Sequence, residues 1–202
     1  MLHPSALIGR FSDMRLTSRF EEALTYAIRL HAAQFRKGTK IPYAAHLLSV
    51  ASIALRHGAD EDEAIGALLH DAVEDQGGAP TLAEIRRRFG DAVADIVEGC
   101  TDTDQVPKPP WRARKEAYIA HVRHASPSVR LVSASDKLDN ARAIYDDFCD
   151  LGEALWKRFS GGKDGTLWYY RELVKVFREA GGGPIVDELD RVVQELHRAA
   201  AK

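Results

Sequence analysis

The densest run of reactive side chains in the sequence is Leu68-Leu69-His70-Asp71-Ala72-Val73-Glu74-Asp75. On a helix Glu74 follows His70 by one turn and Asp75 follows Asp71 by one turn, so all four groups can edge one cavity. A histidine and an aspartate side by side near the end of a packed helix can both turn toward one metal ion. Placing four such groups directly after Ala67-Leu68-Leu69 is costly if they are merely buried. The plainer alternative is a helix emerging into water, with the cluster as its solvated C-terminal end. Acidic groups at a helix C-terminus oppose the macrodipole, which makes a compensating cation the more attractive reading.

Two distant segments favour the cation. Ile41-Pro42-Tyr43-Ala44-Ala45-His46 sets a histidine at the start of a helix behind a proline-fixed turn. Ser135-Asp136-Lys137-Leu138-Asp139-Asn140-Ala141-Arg142 lies in an apolar run with Leu131, Val132, Ala134 and Ile144, and puts Asp136 and Asn140 one turn apart on one face. Singly, each is more readily a hydrogen-bonded structural residue. Together, His46, His70, Asp71 and Asp136 offer two imidazoles and two carboxylates, a set that suits Mn, Fe, Co or Zn without choosing among them. His31, His57, His121 and His124 have no partner of matching spacing and read as structural or exposed.

The elements that must carry these groups read as helices throughout. Ser18 with Glu21 three residues on predicts a capping box, followed by Phe20, Ala23, Leu24, Ala27 and Ile28 at helical spacing. That helix fades in Arg36-Lys37-Gly38-Thr39-Lys40. A second is expected over about 44–56. A third, capped by Asp60 and Glu63, carries the stripe Ile65, Leu68, Leu69, Ala72 and Val73. Thr81 with Glu84 predicts another capping box, before a helix that ends at Gly90 and one over about 91–99. Pro107, Pro109 and Pro110 make 101–110 a loop. Helices follow over about 112–124, from Pro127 behind the N-cap Ser126 to about Phe148, over 166–180 after a glycine turn at 161–165, and from Pro184 onward. No segment keeps a two-residue alternation, so the expected fold class is all-α, with 1–202 as a single domain. The last helix, 184–201, is expected to pack on that domain or to form an oligomer contact.

A chain of 202 residues suits one hydrophobic core, and 45% hydrophobic with 29% charged residues is an ordinary globular composition. A net charge of −2 argues against a general nucleic-acid or anionic-membrane binder, and leaves room for a local basic pocket holding one small anion. Cys100 and Cys149 have neither metal-ligand nor redox spacing and read as reduced thiols. The first 20 residues lack the apolar core of a signal peptide, and no run approaches the roughly 18 apolar residues of a membrane span. A soluble cytoplasmic protein is expected.

The order His46, His70-Asp71, Asp136 resembles the signature of the HD-domain metal phosphohydrolases, a helical-bundle superfamily. The finer resemblance is to the alarmone hydrolases of the stringent response, comprising the hydrolase domain of the Rel/Spo proteins and the stand-alone small alarmone hydrolases. It rests on Phe35-Arg36-Lys37-Gly38, Pro42-Tyr43-Ala44-Ala45-His46, Leu69-His70-Asp71-Ala72-Val73-Glu74-Asp75, Ile85-Arg86-Arg87-Arg88-Phe89-Gly90, Val97-Glu98-Gly99-Cys100-Thr101-Asp102 and the segment from Ser135 to Arg142, across roughly residues 20–178. The resemblance implies that His46, His70, Asp71 and Asp136 bind one divalent ion, usually manganese, and that Glu74 and Asp75 position and activate the attacking water. It implies that Arg36 and Lys37 meet substrate phosphates, that Asn140 orients the nucleotide, and that Arg142 joins it or stabilises its helix. Tyr43 either stacks on a base or sugar or packs against the turn. The implied reaction releases pyrophosphate from the 3′ position of guanosine 3′,5′-bis(diphosphate).

Two alternatives stand beside that reaction. One is a phosphohydrolase of another nucleotide, such as an adenosine alarmone or the 2′-phosphate of NADPH. The other is a nucleotide-binding module without turnover, against which the intact Glu74 and Asp75 argue. The sequence departs from the family outline in its proline-rich loop and in the basic Arg112-Ala113-Arg114-Lys115, where Lys108, Arg114 and Lys115 either add phosphate contacts or face water. It departs again in Trp156, Trp168, Tyr169 and Tyr170, read as core or a homo-oligomer contact.

Overall fold

A computed structural model describes residues 15–103 and 107–201. Most of the stretch read for a signal peptide, and Asp104-Gln105-Val106 of the proline-rich loop, lie outside the described residues. Among the described residues every regular element is helical, and the sole β feature is an isolated antiparallel bridge between Phe35 and Pro42. Among the described residues, no helix is long and apolar enough to cross a membrane.

Helix α1 spans Ser18–Leu30 and is capped one residue earlier than the sequence suggests. The Thr17 hydroxyl accepts from the Arg19 N–H, while the Thr17 N–H donates to Glu61 across the chain. That long-range tie selects Thr17 over Ser18 as the cap. Helix α2 spans Ala44–Arg56, and α3 spans Glu61–Leu69 behind the expected Asp60–Glu63 capping box. The expected third helix does not run on through the acidic cluster. It stops at Leu69, the backbone at Asp71 swings to φ −97° and ψ −2°, and α4 restarts at Ala72–Asp75. His70 and Asp71 therefore sit in a break between helices, so the dipole argument for a continuous helix end does not apply to them.

Helix α5, Ala79–Phe89, begins two residues before Thr81, because Gly78 at φ 63° turns the chain and Pro80 occupies the first turn. Thr81 is then inside the helix. Its hydroxyl donates back to the Gln76 carbonyl, in place of the expected capping box with Glu84. Helices α6 (Asp91–Cys100), α7 (Trp111–His124) and α8 (Pro127–Leu151, with Ser126 as N-cap) follow. A 3-10 segment at Gly152–Arg158, α9 at Gly162–Glu179 and α10 at Pro184–Ala200 complete the chain. The glycines expected to form a turn at 161–165 mostly lie within α9. A Cβ at Gly161 would come within 2.7 Å of the Trp111 ring and one at Gly165 within 3.1 Å, so these positions are small because an indole lies on them.

Two apolar clusters hold the fold. One gathers Leu47, Val50, Ile65, Leu68, Leu69, Ile85, Val93 and Val97; the other gathers Val122, Leu138, Leu155, Leu173, Leu189 and Leu196. Helix α8 spans both, giving Val132 to the first and Ala134, Leu138, Ala141 and Ile144 to the second. Asp136 thus rides the element that joins the two cores. The aromatic residues Trp156, Tyr169 and Tyr170 are buried in the second cluster, and α10 lays Leu189, Val193 and Leu196 into it against α8.

Helix α3 is pressed against α6 at Gly66, where a Cβ would lie 2.6 Å from Ile96 Cγ2. Alanine there would gain about 1 kcal/mol of helix propensity but meet that clash. A valine has no such latitude and should cost about 1–3 kcal/mol through overpacking. Urea unfolding of Gly66→Val should show the loss as an earlier midpoint with an unchanged slope. An unchanged midpoint would mean that the two helices are free to separate here.

Candidate metal centre

Three elements converge on one point. His46 is the third residue of α2, whose start is clamped by the Phe35–Pro42 turn. The Tyr43 N–H donates to the Gln34 carbonyl and the Arg36 N–H to the Ile41 carbonyl, each at 2.9 Å. His70 and Asp71 come from the break between α3 and α4, and Asp136 from the middle of α8. Both histidines are 2% exposed and Asp136 is 6% exposed.

His46 Nε2 lies 3.2 Å from Asp136 Oδ1 and 3.5 Å from Asp71 Oδ2. His70 Nε2 lies 3.1 Å from Asp71 Oδ2 and 3.5 Å from Asp136 Oδ1. Despite these approaches, neither buried Nε2 has a hydrogen-bond partner among the described residues. Donor atoms about 2.1 Å from a divalent ion stand about 3.0–3.4 Å from their neighbours in octahedral or tetrahedral sites. The observed separations, 3.1–3.5 Å, fall in or next to that range, so these groups could share one ion. The donor atoms of His46, His70 and Asp136 all lie within 4.8 Å of one another, and Asp71 Oδ2 approaches both rings as a fourth.

The other ring nitrogens fix which way the lone pairs point. His70 Nδ1 lies 2.9 Å from the Ala67 carbonyl, which can only accept, so Nδ1 carries a proton and, in the neutral ring, Nε2 carries the lone pair. His46 Nδ1 lies 2.6 Å from Asp139 Oδ2, with the same consequence. Electrostatically the site calls for positive charge. Burial lowers the affinity of both imidazoles for protons, yet the facing carboxylates overcome it, pushing His46 up to about 9 and His70 well above the ordinary histidine value. Burial alone would raise Asp71 and Asp136. The imidazoles, and Lys137 beside Asp136, instead hold both well below the usual carboxylate range. A divalent cation can take the place of those protons.

A second layer braces these groups. The Tyr43 hydroxyl donates to Asp71 Oδ2, and its ring stacks on His31 at 5.1 Å, so Tyr43 is engaged within the protein. Asp136 accepts from Asn140 Nδ2 and from Lys137 Nζ. Arg36 in turn donates to Asn140 Oδ1 at 2.8 Å, which joins two of the expected substrate residues to the metal group in one chain. Glu74 pairs with Lys108 at 2.7 Å, and Asp75 accepts from Gln34 at 2.7 Å. Lys37 is exposed on the turn next to Arg36.

Other expected residues lie elsewhere. The Arg142 guanidinium bonds Glu188 on α10, which also meets His57, so Arg142 is held at the α8–α10 contact. Arg114 and Lys115 turn inward onto Asp102, rather than to water. The sequence reading assigned no role to Asp139 or Ser49, nor to Gln34. A usable signal was present: Asp139 follows Asp136, and Ser49 follows His46, by about one turn on the same helix face. His31, expected to be structural or exposed, is structural: its ring lies buried against Tyr43 with Nδ1 on Gln34.

Residues 23–159 match the family described as HD domain. The guanosine-3′,5′-bis(diphosphate) 3′-pyrophosphohydrolase of Xenopus tropicalis is 41% identical over 126 residues, covering 61% of this chain and 68% of that protein. The protein of the same activity from Aquifex aeolicus is 35% identical over 125 residues, covering 62% of this chain but 18% of that much longer relative. A solved structure of a metazoan orthologue of SpoT, described as hydrolysing ppGpp, superposes with a TM-score of 0.76 at 25% identity over 93% of this chain and 99% of its own.

Proposed function

The chain belongs to the HD-domain family, and from that premise we propose that it is a metal-dependent phosphohydrolase that removes pyrophosphate from the 3′ position of guanosine 3′,5′-bis(diphosphate). The observation that carries the reading is the pair of buried Nε2 atoms, without hydrogen-bond partners among the described residues, facing Asp71 and Asp136 at 3.1–3.5 Å. The substrate follows the activity shared by the Xenopus and Aquifex relatives.

In this reading His46, His70, Asp71 and Asp136 hold one divalent ion, with manganese the first choice. A divalent ion bound there lowers the pKa of water and neutralises charge on phosphoryl oxygens. Glu74 and Asp75 orient the attacking water and accept its proton. Water adds to the phosphorus of the 3′ ester as the 3′ oxygen departs, so pyrophosphate leaves and the nucleotide keeps a 3′ hydroxyl. Arg36 and Lys37 pair with the phosphates, which requires Arg36 to exchange the Asn140 oxygen for a phosphate oxygen. Asn140, released on that side, keeps its hold on Asp136 and can turn its carbonyl to the nucleotide. The free cysteines Cys100 and Cys149 fit the cytoplasmic setting we propose for the reaction.

The test is manganese-dependent turnover of guanosine 3′,5′-bis(diphosphate) with the products identified. Pyrophosphate and guanosine 5′-diphosphate are expected. Orthophosphate released from NADPH, with no turnover of the guanosine compound, would move the activity to another nucleotide.

A further inference from the structure

We infer that Asp139 is the positioning residue for His46, a carboxylate that sets the direction and donor strength of that imidazole toward the ion; this rests on the metal reading above. Asp139 Oδ2 sits 2.6 Å from His46 Nδ1, and the Ser49 hydroxyl donates to its other oxygen, Oδ1. Both oxygens are thereby committed, and the side chain is only 17% exposed. The three residues form a closed arrangement between two helices. His46 and Ser49 lie about one turn apart on α2, while Asp139 lies about one turn beyond Asp136 on α8. The same two helices thus supply two of the four expected ligands and the bond that fixes their relative placement.

The two imidazoles differ in what stands behind them. His70 Nδ1 leans on a neutral carbonyl of its own helix, Ala67, at 2.9 Å. His46 Nδ1 leans on a carboxylate brought from another helix. A carboxylate accepting from the far nitrogen fixes the tautomer, holds the ring plane and increases electron donation from the near nitrogen, and losing such a partner typically weakens metal binding about 10–100-fold. A carboxylate that merely tied α2 to α8 would leave metal affinity untouched and lower stability alone.

The experiment uses the full chain freed of metal, with Mn2+ and Zn2+ as probes. Affinity is read by competition with a fluorescent chelator, and the unfolding midpoint is read with and without the ion. Asp139→Ala should weaken both ions about 10–100-fold and shrink the stabilisation that the ion confers. Asp139→Asn keeps an acceptor for Nδ1–H without the charge, should fall between, and serves as the folded comparison if Asp139→Ala is unstable. In the Zn2+ form the downfield Nδ1–H proton of His46 should vanish in Asp139→Ala while that of His70 remains. Unchanged affinities with lower midpoints in both metal-free and loaded protein would overturn the inference and leave the metal reading standing. Wild type that binds neither ion would overturn both.

Discussion

Asp71→Ala should abolish tight divalent-metal binding and reduce turnover to background, while the protein keeps its helices. Asp71 Oδ2 is the oxygen that approaches both His46 Nε2 and His70 Nε2, so removing it leaves the two rings facing Asp136 alone. The loss should exceed the about 10–100-fold that follows from an outer partner, because a donor atom itself is gone. The Tyr43 hydroxyl also loses its acceptor. Leaving a fully buried hydroxyl unsatisfied costs about 1–3 kcal/mol, and Tyr43 is only partly buried, so at most a modest fall in the melting midpoint should accompany the functional loss. Helicity survives because Asp71 occupies the break between α3 and α4, and Leu68, Leu69, Ala72 and Val73 on either side keep their burial. Metal content, turnover and far-ultraviolet circular dichroism measured on one preparation separate these effects. Activity retained by a metal-stripped Asp71→Ala protein would sink the mechanism.

The residues just discussed mark where a sequence stops being readable. The apolar stripe Ile65, Leu68, Leu69, Ala72 and Val73 stays in helical phase straight through His70 and Asp71, so periodicity alone joins α3 to α4. Only the backbone angle at Asp71 reveals the break, where His70 Nε2 and Asp71 Oδ2 come to within 3.1 Å of each other. The candidate site was legible because histidine and aspartate in the midst of apolar runs have few inexpensive fates. Arg142 shows the opposite case. It belongs to the same local segment as Asp136 and Asn140, but its partner Glu188 lies 46 residues on, and that ion pair assigns it to the α8–α10 contact. The glycines at 161 and 165 looked like a turn because glycine is the usual turn residue. Their actual constraint is the Trp111 ring, about 50 residues earlier, which no local pattern can report.

Glu74→Gln tests the water-activating role more sharply than any ligand change, because the amide keeps the shape of the side chain while removing its charge and its capacity to take a proton. Glu74 is outside the group of donor atoms around His46, His70 and Asp136, so metal affinity should hold. With metal saturating, kcat should fall about 10²–10⁴-fold, the contribution typical of a positioned general base, with little change in KM. The contact with Lys108 bears on how Glu74 is made available. At 2.7 Å, with the lysine side chain 45% exposed and the glutamate 21%, this is a partly solvated ion pair. Such pairs contribute about 0–1 kcal/mol, so an arriving phosphate can draw Lys108 away at little cost and leave the carboxylate facing the water. An unchanged kcat in Glu74→Gln would remove Glu74 as the base. If nucleotide binding also persisted with no turnover in the wild type, the chain would be a binding module carrying an HD-type site. A collapse of kcat at constant metal affinity is the outcome expected of an enzyme that takes two of its metal ligands from the break at His70-Asp71 and its base from the short helix that follows.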